Sequence, residues 1–524
     1  MKMGIRLNAP GMTSLHKAGL AGLYMTLRAF EETNEQIRGL SWQLDRTVVT
    51  LNWQDEKPKA AFEELIKRSF WIDGGFIRLK GLEISKTPNL DQKYQLYTAL
   101  LNSFLQFGPH RPTESKRDLS IEVDDQIQWI RDFAPIKEFR HQFASSDFIN
   151  EKGEFKKSIE AAGWLYPGAG QRHVVHADTK LNETVELALA LLFAPVGVIY
   201  YTIKSRAKGR KARLAMLIPD IPDLSLYADL RQSYAQKGVF ELTASSASDA
   251  ALRMLIEIAA KKTANSLATI SNDSLVCRVI TFGIVSWNEK QKSRTYSRTI
   301  VSGQLRGLAN YMKADAIFAN RWQQIAAKTD RKGQQLEPRR SFVTTFSARE
   351  FIADNTASDR PWYQDIASYL SNQETRDQLL YERKELNEMV RTASFDEESE
   401  RLFIDICHES WRRRLGKLGQ RAASEGANFQ TLANKESERL RSSLIRCKNA
   451  ETLRETVIDF WSRAGANRSL RGNSLTNLLR LFDESNWKKA RDLALLSLIS
   501  YQPQNEQEEA AFSETVIDEG DEDE

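Results

Sequence analysis

Two hydrophobic periods divide the chain. Ser14 to Glu31 repeats its apolar residues at helical spacing, and Gly19, Ala21 and Gly22 within it permit close packing against a neighbour. Leu40 to Trp53 alternates apolar and polar residues around Asp45-Arg46, which predicts a hairpin. Asn89 with Gln92 predicts a capping box opening a helix that runs to Gln106. Phe107 to Arg117, with Gly108, Pro109 and Pro112, predicts a loop. Leu187 to Tyr201 is unbroken apolar sequence, short of the roughly 20 residues that span a bilayer. Pro195 and Gly197 split it, so it predicts a buried helix, a turn and a strand.

The middle of the chain holds two hairpin patterns of one design. Val198 to Lys204 and Ala212 to Ile218 are β-rich runs joined by residues 205–211. Leu275 to Trp287 and Thr295 to Val301 are joined by residues 288–294. From about Gln373 the strand-like alternation stops, and no Pro occurs between Pro361 and Pro503. Apolar residues now recur at helical spacing: Leu402, Ile406, Leu415 and Leu418; Leu440 and Leu444; Leu453, Val457 and Phe460; Leu475, Leu478, Leu479 and Phe482; Leu493, Leu496 and Ile499. Ser394 with Glu397 predicts a capping box at the start, and Gly426, Gly465 and Gly472 separate the runs. The expected fold is α+β. An N-terminal mixed domain (1–170) and a middle α/β domain with two basic hairpins (171–375) precede an all-α antiparallel bundle of about five helices (376–503). An acidic disordered tail (504–524) follows.

Charge sharpens this picture. Over 524 residues the formal net charge is only +4. Ten acidic residues and no Lys or Arg fall in 506–524, however, so residues 1–505 hold 74 basic against 60 acidic residues and carry +14. A positive excess of that size suits a polyanionic partner. Cys277, Cys407 and Cys447 are far apart and form no CxxC pair, which argues against a disulfide framework, a zinc ribbon or an iron–sulfur site. Met1 to Gly22 has scattered basic residues and no apolar core, so no secretory signal is expected and a cytoplasmic location is.

The basic residues concentrate at three places. The first hairpin carries Arg206, Lys208, Arg210, Lys211 and Arg213, and the second Lys290, Lys292, Arg294 and Arg298. In the bundle, Arg412, Arg413, Arg414, Lys417 and Arg421 lie within three turns of one helix, with Arg414, Lys417 and Arg421 on a shared face. Arg468 and Arg471 occupy the next inter-helix loop. A solvated surface explains any one of these; their repetition points to nucleic-acid phosphates. No phosphate-loop, dinucleotide, HExxH, deaminase or nucleophile-elbow motif occurs, so neither a catalytic centre nor a cofactor is expected. His173, His176 and Asp178 form the one close His pair with an acidic neighbour. They define the alternative of a metal-dependent nuclease; a general nucleic-acid-binding scaffold is a third reading.

Two stretches resemble a known family. The opening from Ala9-Pro10-Gly11 through Thr13-Ser14-Leu15-His16-Lys17-Ala18-Gly19 to Leu27-Arg28 is similar to the start of large subunits of type I CRISPR effectors of the Myxococcus-type branch. Leu165-Tyr166-Pro167-Gly168-Ala169-Gly170-Gln171-Arg172-His173 resembles a second stretch of that branch. The resemblance implies a non-catalytic large subunit of a Cascade complex. Guide RNA reads the target by pairing, while the protein recognises the protospacer-adjacent motif in duplex DNA, aids unwinding and holds the non-target strand. It implies guide RNA, double-stranded target DNA and the backbone, guide-end and small subunits as partners, and no membrane. A recruited helicase-nuclease acts downstream in some relatives and a transposition adaptor in others. Small subunits of several such systems arise by internal translation, and a start at Met389 would release the bundle and tail as a separate chain.

Overall fold

In the computed structural model the described residues are 1–83, 87–122, 128–161, 163–167, 181–206, 212–264, 276–287, 290–301, 307–325, 340–465 and 478–502. They form two compact units. The mixed unit takes the described residues of 1–205, 211–303 and 320–345; the helical unit takes those of 206–210, 304–319 and 346–524.

The mixed unit is built around one buried helix. Strands β1 (Lys2–Arg6), β2 (Leu40–Leu44) and β3 (Val48–Trp53) make a three-stranded antiparallel sheet in the order β1-β3-β2. The expected hairpin is β2–β3, with Leu44 opposite Val49. Between β1 and β2 runs α1 (Ser14–Glu32), capped by Thr13, whose hydroxyl lies 2.7 Å from His16 Nδ1. Its neighbours α2 (Val185–Leu192) and α3 (Ala194–Gly197) come from the apolar run, and both are buried. The small residues of α1 are what let these backbones meet. A Cβ on Gly19 would lie 1.9 Å from the Ala190 carbonyl oxygen, and one on Gly22 2.2 Å from that of Phe193. Gly197 reciprocates, since its Cβ would sit 1.7 Å from the Ala18 carbonyl oxygen.

The chain then enters a five-stranded sheet through β4 (Ile199–Ile203), as the apolar run predicts, and β5 (Ala212–Pro219). Strands β6 (Thr243–Ala244), β7 (Val276–Trp287) and β8 (Lys290–Val301) complete it in the order β6-β4-β5-β7-β8. Only the β6–β4 pairing is parallel.

Two expectations in this unit are corrected. The helix opened by the Asn89–Gln92 capping box forms as Leu90–Leu101 and stops there, short of Gln106. The Asn102 side-chain amide donates to the Thr98 carbonyl at 2.7 Å, and Leu105 N–H bonds back to Leu100, so the last turn closes on itself. The second hairpin has no seven-residue connection. Trp287 pairs with Lys290, and the ladder runs without a break to Val276 opposite Val301. Lys290, Lys292 and Arg294 are therefore strand positions rather than a loop, because backbone pairing continues to the tip.

The helical unit comprises α4 (Leu308–Ile317), α5 (Ser347–Thr356), α6 (Ile366–Ser371), α7 (Gln373–Tyr381), α8 (Arg383–Thr392), α9 (Glu398–Glu425), α10 (Phe429–Arg446), α11 (Ala450–Ala464) and α12 (Trp487–Ser500). Leu402, Leu440 and Phe460 pack at the edge of a core that buries Ile406, Leu444, Leu453, Val457, Leu493, Leu496 and Ile499. Gly426 (φ 64°) and Gly465 (φ 80°) end α9 and α11 in the left-handed conformation that glycine adopts without strain. Gly472 lies outside the described residues. The Ser394–Glu397 capping box is not formed: α9 starts after Glu397, which makes no side-chain cap. Ser394 is taken by Asn310 of α4, whose side-chain amide bonds both its N–H and its carbonyl at 2.7 Å. Among the described residues no helix is long and apolar enough to cross a membrane.

Candidate nucleic-acid interface

Of the predicted residues, those described lie partly on strands of the mixed unit and partly in the helical unit. In the first hairpin Lys208, Arg210 and Lys211 lie outside the described residues. Arg213 is exposed on β5 of the mixed unit. Arg206 belongs to the helical unit, where its carbonyl accepts from the Gln378 amide at 2.9 Å. Its positive charge also acts on Glu382. That carboxylate accepts from the backbone N–H groups of Ser347 and Ala348, both at 2.7 Å, and so caps α5. Burial pushes its pKa up to about 7 against the pull of those donors and of Arg206.

Lys290, Lys292, Arg294 and Arg298 fall at every second or fourth position of β8, the edge strand of the sheet. Their register partners on β7 are Trp287, Val285, Gly283 and Val279. Strand β5 reaches only to Gly283, so the last part of β7–β8 continues as a two-stranded ribbon beyond the sheet. A period of two gathers residues on one side of a strand. This spacing was concealed in the sequence by the polar composition of 288–294.

The bundle's basic run lies on α9 as expected, and four of its five cations have partners within the helical unit. Arg414 bonds Glu436 of α10 at 2.8 Å, and Arg421 bonds Glu425 at 3.0 Å. Arg413 donates to Glu409 at 2.5 Å and to the Gly465 carbonyl at 2.6 Å. Lys417 donates to the Arg463 carbonyl at 2.7 Å, so both satisfy the C-terminus of α11. Arg412 differs: it is exposed, and its side chain has no bonding partner among the described residues. Arg468 and Arg471, like His173, His176 and Asp178, lie outside them. Among the described residues no cluster of three or more His, Cys, Asp or Glu could hold a metal.

A cleft that the sequence reading missed lies beside Arg412. It has a volume of about 590 Å³ and is lined by Asn387 and Arg391 of α8, His408, Glu409 and Arg412 of α9, and Tyr501 and Gln502 just past α12. The wall is fixed by hydrogen bonds to Ser500. Asn387 donates to its carbonyl at 2.9 Å, and His408 Nε2 lies 3.2 Å from its hydroxyl. Burial pushes His408 down to about 4, so at neutral pH it is an uncharged part of the wall. Arg391 is exposed and, like Arg412, has no side-chain partner among the described residues. The i, i+4 spacing of Asn387 with Arg391 and of His408 with Arg412 was the available signal.

Comparison with known proteins adds two partial family matches and one relative. Residues 4–192 match the DevT N-terminal domain and residues 391–524 the DevT C-terminal domain. The chain thus resembles the DevT family in two separate stretches, in the same order as the domains' names. It is also 28% identical to the CRISPR-associated protein Cas8a1/Csx13 of Myxococcus xanthus, over 95% of this chain and 88% of that protein. The resemblance to the Myxococcus-type branch read from residues 9–28 and 165–173 is thereby borne out. The N-terminal match ends with α2, inside the mixed unit, and the C-terminal match starts in the last turn of α8.

Proposed function

We propose that the chain is the large subunit of an RNA-guided type I CRISPR surveillance complex, a Cascade, with guide RNA, target DNA and the backbone, guide-end and small subunits as partners. The observation that carries this reading is the likeness to a CRISPR-associated protein along nearly the whole chain, with both DevT domains in order. The mixed unit inspects the protospacer-adjacent motif and the β7–β8 ribbon holds DNA phosphates. The ribbon supports this role by its shape: a two-stranded ribbon fits a groove, and basic positions at a period of two can follow a backbone. Sequence recognition is left to guide pairing, so the protein itself carries out no reaction.

Co-expression with the neighbouring genes, purification by a tag on this chain and sequencing of the bound nucleic acid test the assembly. A uniform guide RNA with backbone subunits is expected; heterogeneous RNA without partner subunits overturns it. In the purified complex, Lys290→Ala, Lys292→Ala and Arg294→Ala together should weaken duplex binding uniformly across sequences. The slope of log affinity against log salt should fall by roughly 2–3, at about 0.9 per lost phosphate contact. An unchanged slope removes the ribbon from the interface.

A further inference from the structure

We propose that the cleft between α8, α9 and the end of α12 is a docking site for the chain's own acidic segment, with Glu506, Glu508 and Glu509 meeting Arg391 and Arg412. Three observations converge. The first is selective neutralisation. Arg413, Arg414 and Arg421 have carboxylate partners and Lys417 a carbonyl, whereas Arg412 and Arg391 have neither among the described residues and both line the cleft. Glu409 also lines it, but Arg413 already engages that carboxylate. Two guanidiniums left facing one concavity form a site for carboxylates, which they bind through paired N–H donors.

The second observation is connectivity. Gln502 is itself a wall of the cleft, and Glu506 follows four residues later. At about 3.3–3.6 Å per residue, Glu506 reaches no farther than ~14 Å from that wall, and Glu508 and Glu509 remain within reach. A tethered ligand at that separation acts at an effective concentration in the millimolar range. The third is size. A volume of about 590 Å³ is that of a small-ligand pocket, suited to a few side chains and not to a duplex. Acidic residues supplied in cis fit it better than a continuous phosphate backbone, and the site stands whether or not the chain works in a CRISPR complex.

The test uses the full-length chain carrying Arg412→Lys or, separately, Arg391→Lys, treated with a carbodiimide that joins carboxylate to amine at zero length and then read by peptide mass spectrometry. Either variant should yield an amide from the substituted position to Glu506, Glu508 or Glu509, several-fold above coupling of the tail to the exposed Lys384 on α8. About 0.5 M salt should abolish it. Coupling of the substituted position to Glu409 with none to the tail overturns the proposal, because the amine is then present and reactive. A second result also overturns it: no tail coupling, with Arg391→Ala and Arg412→Ala weakening binding of a 20-nucleotide single strand, which makes the cleft a phosphate site. A chain that binds no oligonucleotide yet couples its tail to position 412 upholds the docking and contradicts only the nucleic-acid reading.

Discussion

Single residues show where local preference and tertiary demand oppose one another. Gly is a poor helix former, so Gly→Ala in an open helix stabilises by about 0.5–1 kcal/mol. Gly416, exposed on α9 with nothing within 4 Å of its missing Cβ, should follow that rule. Gly19, where a Cβ would lie 1.9 Å from a carbonyl oxygen, should reverse it, and Gly19→Ala should cost roughly 1–3 kcal/mol or more as α1 and α2 are forced apart. Urea midpoints of the two variants should move in opposite directions. The small residues of α1 were legible in the sequence because close packing needs no side-chain detail. His141 was not legible, for nothing around it signals burial. It is packed among the rings of Phe70, Phe139 and Trp164, with neither ring nitrogen hydrogen-bonded among the described residues. Burial, helped by His110 and Arg140, pushes it down to about 3. The folded state therefore binds fewer protons than the unfolded chain between about pH 6.5 and 3. Its contribution is complete above pH 6.5 and is lost as the pH falls, by up to roughly 5 kcal/mol. His141→Leu should flatten the decline in melting temperature with acid relative to the parent; parallel declines would show that His141 does not titrate in this window.

At the scale of elements, the same basic residues read differently once their partners are known. The helical period of the bundle and its two glycine ends could be read directly, since burial of an apolar stripe dictates them. The role of the α9 cations could not, because Glu436 and the exposed carbonyls of α11 come near only after the helices pack. Arg413 and Lys417 are thus C-terminal caps for α11, held by charge-assisted bonds to Gly465 and Arg463. Arg413→Met with Lys417→Met should destabilise the helical unit by about 1–3 kcal/mol while leaving the salt slope of nucleic-acid binding unchanged. Denaturation and a salt titration on one protein separate these effects, and a slope reduced by about 2 would place both residues in the interface. The β7–β8 ribbon was hidden for the converse reason. Lys, Gln, Ser and Arg disguise alternation, and only ladder pairing from Trp287–Lys290 inward reveals a strand.

Across the whole molecule, the two units draw on distant parts of the sequence, and this bears on where the chain could be divided. The helical unit's core counts thirty-four buried apolar residues among those described, and thirteen precede Met389, including Phe346, Phe351, Ile352, Trp362, Tyr363, Ile366 and Leu370. Met389 is itself fully buried midway along α8. A chain starting there would lose α4 to α7 and the first turns of α8, so it would not release a complete bundle. At roughly 1.5–3 kcal/mol for each large side chain, uncovering the core faces left by that loss outweighs the 5–15 kcal/mol by which a domain of this kind is stable. The DevT C-terminal match begins at residue 391, after those helices, so sequence similarity alone would favour the shorter piece as an independent domain. Packing favours the opposite outcome. Residues 389–524 expressed alone should lack a cooperative thermal transition and bind a hydrophobic dye, whereas the full-length chain should melt cooperatively. A sharp, reversible transition in the fragment would show that α9 to α12 repack without their missing partners, and would make an internal start at Met389 structurally sound.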